Sequence, residues 1–384
     1  MEKHIKISKK FQREFNNDIL ESVLKAQKYN DIINLSIGDP DLDTDKEIMK
    51  LGFQDCLNGE THYTDPLGYK DLREAIVEEY KEDYGINIGV NNVMVVSSAT
   101  TGLFMALCTT LDEGDEVIVL EPFFTPYKKQ VEFTGAKIVT LSLTADNDFQ
   151  IDKEKLESVV TKNTKGIIVN YPTNPTGGVF SNQSLQNICD IAIKYDLIVY
   201  ADDIYTIFNY DEPFRPICNF PGMFERTITV RSFSKDYCMT GFRVGWLVCP
   251  EYLINTINIF NESVIYTVPN FSQRVGLYAL KNRKRIQKEI REEFKKRLDY
   301  AYERIQNIPF LSVEKPKGSI YMFLDIRKTG MTSNQFADYC LDKYHIIVLP
   351  GNGFGSSGEG FVRIALTHNV EKLKEAFDRL EFIK

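Results

Sequence analysis

The chain has 384 residues, 43% hydrophobic and 26% charged, which excludes wholesale disorder and supplies apolar surface for more than one core. A formal net charge of −8 argues against a nucleic-acid binder that works by neutralising phosphates. Seven scattered cysteines with no C-x-x-C spacing, an N-terminus (MEKHIKISKKFQREF) without an apolar h-region, and no apolar run near 20 residues together point to a cytoplasmic protein with reduced thiols.

The N-terminal segment, residues 1–44, has no companion core and is expected to pack on a small C-terminal domain. From Asn92 to Pro250 short apolar runs alternate with amphipathic stretches. The runs are VMVVS (93–97), EVIVL (116–120), KIVTL (137–141), GIIVN (166–170), LIVYA (197–201), TITVR (227–231) and RVGWLV (243–248). Continuity in Val and Ile is what strands buried on both faces require, and the segments between them, such as Ser184–Lys194, have helical spacing. The pattern predicts an α/β fold: a large domain over 45–280 with a mostly parallel, doubly wound central sheet. Beyond Pro269 the texture changes. Ile286, Ile290, Phe294, Leu298, Tyr302 and Ile305 predict one long amphipathic helix, and the basic cluster at 281–285 reads as its solvated face. Strand-like SIYMFLDI (319–326), a helix around Phe336–Leu341, strands at 346–348 and 361–366, and a closing helix through Leu373, Phe377 and Leu380 complete a smaller α/β C-terminal domain, residues 281–384.

Five of the central runs end in an unusual polar or aromatic feature, and in an open parallel sheet ligands bind beyond the carboxyl ends of the strands. After 93–97 come Ser98, Ala99 and Thr100 before an apolar helix, a phosphate seat or a plain cap. After 116–120 comes Phe124, able to stack on a flat heterocycle or to serve as ordinary packing. Asn174 sits in a Pro- and Gly-rich turn after 166–170. After 197–201 stand Asp202 and Tyr205; a carboxylate directly after a buried strand needs a basic partner, and a pyridine nitrogen is one candidate. After 227–231 stand Ser232 and Lys235, with Arg243 downstream: a lysine suited to imine formation, beside a hydroxyl and a guanidinium suited to phosphate. Each feature alone has a bland structural explanation. Their convergence on one sheet edge, if the strands are parallel, does not.

With these motifs in hand the chain resembles the class I/II aminotransferases of the fold-type-I pyridoxal-phosphate superfamily. The resemblance rests on IGDPD (37–41), HYTDPLGYKDLREAI (62–76), Asn-Pro-Thr-Gly (174–177), ADDIY (201–205), SFSKDYCMTGFRVGW (232–246) and GFVRIAL (360–366), in the family's order and over nearly the whole chain. It implies pyridoxal 5′-phosphate held by Lys235 as an imine, with Lys235 also shuttling a proton. It implies that Asp202 pairs with the pyridine nitrogen, that Asn174 and Tyr205 bond the phenolic oxygen, and that Phe124 stacks on the ring. Ala99, Thr100, Ser232 and Arg243 would hold the phosphate, joined by Tyr63 from a second chain, which makes a homodimer. Arg363 would bind the substrate α-carboxylate, helped by the backbone of Gly38. One departure stands out: Ser98 occupies a position where relatives often carry Gly.

The implied reaction moves an amino group from an amino acid to a 2-oxo acid in two half-reactions, with ping-pong kinetics. A carbon–sulfur β-lyase on the same fold and cofactor is the alternative. More distant rivals are weaker. Ser232-x-x-Lys235 with Lys328-Thr329-Gly330 matches two of three penicillin-recognising motifs, but no helix start is evident beneath Ser232. Gly353-x-Gly355-x-x-Gly358 fits a dinucleotide pattern but runs into a strand, so it reads as a loop bordering the substrate site. No metal site is expected, since the four histidines show no ligand spacing.

Overall fold

In the computed structural model, residues 28–381 are described, together with Ser8 and Phe11. The rest of the N-terminal segment lies outside the described residues. All seven apolar runs form strands of one seven-stranded sheet. Numbered in chain order after a short strand β1 (Ile33–Asn34), these are β2 (Val93–Val96), β3 (Glu116–Glu121), β4 (Lys137–Ser142), β5 (Thr164–Asn170), β6 (Ile198–Asp202), β7 (Thr227–Ser232) and β8 (Gly245–Val248). Their spatial order is β2-β8-β7-β6-β5-β3-β4. β8 is antiparallel to both of its neighbours, so β2 runs the same way as β3 to β7. The five feature-bearing strands therefore point their carboxyl ends to one edge.

The apolar runs become strands because helices cover both faces. The helix Asn182–Lys194 is capped by Ser181, whose Oγ accepts from Ser184 N at 3.1 Å, and it buries Leu185, Ile188, Ile191 and Ala192. Burying one such aliphatic side chain contributes about 1.5–3 kcal/mol. On the opposite face the helix Ala99–Thr110 packs Leu103, Ala106 and Leu107 into a second cluster with Val96, Val230 and Leu247.

A three-stranded antiparallel sheet follows, from β9 (Tyr321–Asp325), β11 (Leu349–Pro350) and β12 (Phe361–Ala365), in the order β11-β12-β9. β1 pairs in parallel with β10 (Ile346–Ile347), and Ala365 N donates to Leu35 O at 2.7 Å. The segment around Leu35 is thereby stitched to the strand that carries Arg363.

Two expectations need correction. The basic cluster at 281–285 is not simply a solvated face: Arg283, at the start of the helix Arg283–Ile305, is buried and bonds Asp83 at 2.8 Å and Glu82 at 2.5 Å on the helix Lys70–Tyr84. A short helix does open beneath Ser232, a single turn over Phe233–Asp236, capped by the Ser232 hydroxyl. The Gly353–Gly358 stretch forms two short turns at Gly351–Phe354 and Ser356–Gly358 that lead into β12, so it opens no helix.

Candidate active site

A cleft of about 370 Å³ lies at the carboxyl edge of the large sheet. All the site residues singled out in the sequence line it except Asn174 and Tyr63. Ser98, Ala99 and Thr100 follow β2, Phe124 follows β3, Asp202 ends β6, and Ser232 ends β7 with Lys235 three residues on. Gly38, Tyr321 and Arg363 close the cleft from the side of the smaller sheet.

Asp202 is the most telling group. It is buried, and burial pushes its carboxyl up to about 6 even though the Tyr127 hydroxyl donates to Oδ2, which lowers it. Its other oxygen, Oδ1, has no partner in the protein. A buried carboxylate oxygen left without a donor is costly, so this atom is suited to a cationic N–H brought in by a ligand. Arg231, one strand over, pairs elsewhere, meeting Glu79 and Asp236, each at 3.2 Å. Burial raises Asp203 to about 8 and Asp236 to about 7 in that inner layer.

Lys235 Nζ donates to the carbonyl of Gly38, which places the amine in the same cleft as Asp202. Gly38 is required there by space: a Cβ built on it would run into the Tyr321 hydroxyl. That hydroxyl accepts from Tyr205 at 3.1 Å, and the Tyr321 ring lies 4.3 Å from the Arg363 guanidinium carbon. Arg363 is buried, and burial pulls its pKa down. It donates to Asn174 Oδ1 at 2.9 Å and to Ser36 O, while its Nε has no partner. Asn174 thus joins the site by way of Arg363, and its own N–H is held by Asn170 Oδ1 at 3.0 Å. An under-bonded buried guanidinium is a ready partner for a carboxylate.

At the other end of the cleft, the helix Ala99–Thr110 begins with Ser98 at a φ of 90°, its hydroxyl accepting from Thr101 N. The open N–H groups of the first turn face the cleft with the positive end of the helix dipole. Ser232 Oγ donates to Ser234 Oγ at 2.7 Å, and Arg243, exposed and at a φ of 49°, donates to Thr240 O at 2.9 Å. Helix N-terminus, hydroxyls and guanidinium together suit a phosphate. Phe124 lies half-buried and edge-on to Tyr127, their centroids 5.6 Å apart. Tyr63 lies outside the cleft, 83% exposed, and packs edge-on against Tyr266.

Sequence reasoning missed Tyr127, Tyr321 and Asn170. Tyr127 and Asn170 stand in runs that were singled out for neighbouring residues. Tyr321 is hidden in a hydrophobic strand, where an aromatic reads as core.

An amine, a lone carboxylate oxygen, an anion-suited helix end and a buried guanidinium meet around one cleft, a set of groups that fits pyridoxal phosphate and a carboxylate substrate. The chain belongs to the aminotransferase class I and II family, whose model matches residues 30–380. It is 38% identical over 366 residues to an aspartate aminotransferase of Pyrococcus horikoshii, covering 94% of this chain and 93% of that protein. It is 35% identical to aromatic-amino-acid aminotransferase 2 of Thermococcus litoralis, covering 93% and 92%. Among solved structures, an aromatic aminotransferase of Pyrococcus horikoshii superimposes with a TM-score of 0.89 at 35% identity, covering 94% of this chain and 97% of that one. The protein is a pyridoxal-phosphate-dependent aminotransferase acting between amino acids and 2-oxo acids, and the β-lyase alternative is not favoured. Among the described residues no helix is long and apolar enough to cross a membrane.

Proposed function

We propose that this cleft carries out transamination with Lys235 as its working base and Asp202 as the partner of the cofactor's ring nitrogen. The observation that carries the reading is the shared cleft of the Lys235 amine and the unpartnered Oδ1 of buried Asp202. Pyridoxal phosphate, when bound, supplies an electron-accepting ring conjugated with the substrate α-carbon. Lys235 would hold it covalently. Ala99, Thr100, Ser232 and Arg243 would hold its phosphate, Phe124 would cover its ring, and Tyr205 and Asn174 would bond its phenolic oxygen. Because Asn174 is bonded to Arg363, it would link the cofactor to the substrate side of the site.

The protein's own steps follow from these positions. Arg363 binds the substrate α-carboxylate, with Gly38 N–H beside it, and so fixes the α-carbon near Lys235. Lys235 Nζ would be the base that takes the substrate α-proton and later gives a proton back. Asp202, ionised, would pair with the ring nitrogen and so keep the ring electron-poor. The first oxo acid leaves before the second enters, giving ping-pong kinetics. Residues 45–280 form the cofactor-binding domain and 281–384 the smaller domain, with the described part of the N-terminal segment, residues 28–44, lying on the latter. The enzyme is a cytoplasmic homodimer in which the exposed Tyr63 of each chain reaches its partner's phosphate site.

The test is spectral. Purified enzyme is mixed with single amino acids, beginning with aspartate and the aromatic ones, those that the relatives' names carry. Conversion of the cofactor to its amine form by amino acid alone is the expected result. Lys235→Ala is expected to retain cofactor through the phosphate and ring contacts while turnover falls by at least about 10³-fold, the scale for losing a general base together with a covalent anchor. Full turnover by that variant would remove Lys235 from the role.

A further inference from the structure

The Gly353–Gly358 loop has no part in the site as described, yet it makes an unusual contact. Glu121, the last residue of β3, is buried, and its carboxylate turns toward this loop rather than toward the cleft. Oε1 accepts from Ser356 N at 2.5 Å; Oε2 accepts from Ser356 Oγ at 3.2 Å and from Ser142 Oγ at 2.9 Å. One turn earlier, Phe123 N donates to Phe354 O at 2.9 Å. Gly355 has a φ of 117°, and a Cβ built there would run into the Glu121 carboxylate. The loop is shaped around this one acid.

We infer that Glu121 is a positioning residue for substrate binding: it latches the 351–358 loop to the end of β3 so that Phe354 holds Arg363 in its binding orientation. The inference rests on the proposed role of Arg363 toward the substrate carboxylate. Phe354 is buried, and its ring centroid lies 5.0 Å from the Arg363 guanidinium carbon. Tyr321 lies 4.3 Å from the same carbon. With Nε unpartnered, the guanidinium depends on these two rings as well as on Asn174 and Ser36 for its orientation.

The loop also joins β11 to β12, and β12 carries Arg363. β3 belongs to the other sheet and leads to Phe124. The Glu121 latch therefore sets the spacing between the residue that covers the cofactor ring and the residue that binds the substrate carboxylate. A carboxylate suits the task because it accepts from a backbone N–H and two hydroxyls at once, and bonds to an ionised acceptor are about twice as strong as neutral ones.

The experiment uses the holoenzyme and the α-methyl analogue of its best amino donor, which binds but has no α-proton to lose. Glu121→Ala is expected to weaken analogue binding and raise the donor KM by about tenfold, the scale of one lost charge-assisted hydrogen bond. In that variant kcat stays within about twofold, and cofactor affinity and absorbance change far less than analogue binding, because the loop with Phe354 shifts while Phe124 keeps its place after β3. Glu121→Gln is expected to restore most of the affinity, since its amide still accepts from Ser356 N and donates to the hydroxyls. Phe354→Leu is expected to act in the same direction, and its combination with Glu121→Ala to be no worse than the weaker single variant. Unchanged analogue affinity in folded Glu121→Ala holoenzyme, or strictly additive losses in the double variant, overturns the latch. If Glu121→Ala gives no folded enzyme, unchanged affinity in Phe354→Leu does so alone. Arg363→Lys separates the two readings: silent there, the carboxylate role itself fails; strongly weakened there with Glu121→Ala silent, only the latch fails.

Discussion

Asp202 offers the sharpest physical test, because its burial makes a stability prediction independent of turnover. Its carboxyl sits at about 6 in the fold against an ordinary value of 3.8. A raised carboxyl favours the protonated form, so the fold is penalised as pH climbs past 3.8, and the penalty is complete above the folded value near 6. The full penalty is about 3 kcal/mol, of which about 2 kcal/mol develops between pH 4 and pH 7. Asp202→Asn keeps an acceptor for Tyr127 and cannot ionise. Its static costs, including an amide NH₂ in place of Oδ1, are the same at every pH. Urea unfolding of the cofactor-free proteins should therefore show the variant gaining about 2 kcal/mol on the parent between pH 4 and pH 7. Asp203 and Asp236 also titrate in or near this window in both proteins; because the Asp202 charge helps to raise Asp203, its loss in the variant eases that penalty too and adds to the gain in the same direction. Adding pyridoxal phosphate should stabilise the parent far more than the variant, because only the parent offers an ionised partner to the ring nitrogen. Parallel pH profiles for the two proteins would refute the claim that Asp202 is held, charged and under-bonded, for a ligand.

Two further substitutions probe the neighbours of that group. Tyr127→Phe removes the hydroxyl that lowers the Asp202 carboxyl, so the pH dependence should move to higher pH, with about 1.5–3 kcal/mol of stability lost at pH 7; unfolding curves at several pH values check both. Ser98→Gly should relieve a non-glycine residue at a φ of 90° and stabilise the protein by about 1 kcal/mol, since replacing a Ser cap by Gly costs only a few tenths. A fall in Tm for that variant would mean the hydroxyl does more at the turn than cap it.

Apart from the edge strand β4, which is largely exposed, the strands of the large sheet were legible because each is buried on both faces and must be apolar throughout, a demand that leaves a visible run of Val and Ile. The residues just beyond their ends were legible for the complementary reason: Asp202 and Lys235 are conspicuous where an apolar strand stops. Partnership is less visible. Nothing local distinguishes Tyr321, whose hydroxyl meets Tyr205 across 116 positions, from any aromatic in a buried strand. Arg283 looked like part of a solvated cluster because its acidic partners, Glu82 and Asp83, lie about 200 positions away in a different helix. The reversal of β8 was equally hidden, since an antiparallel strand in the middle of a sheet is as apolar as its parallel neighbours.

The distribution of buried charge separates what holds the fold from what the fold holds ready. Behind the cleft, Arg231 answers Glu79 and Asp236, and the same Asp236 oxygen accepts from Thr206 at 2.7 Å. This inner cluster ties the helix Lys70–Tyr84 to the turn bearing Lys235, though one oxygen each of Glu79 and Asp236 and both of Asp203 lack a hydrogen-bond donor there. The groups left short in the cleft differ in facing space that a ligand can fill. Asp202 keeps an oxygen with no donor, and Arg363 keeps a nitrogen with no acceptor. Neither arrangement is the most stable one available, because an apolar or neutral residue would cost the folded chain less at either position. The deficit has opposite sign at the two ends of the cleft. A ligand that brings a cationic ring nitrogen to one end and an anionic carboxylate to the other cancels both deficits at once, and a cofactor joined to its amino-acid substrate is such a ligand.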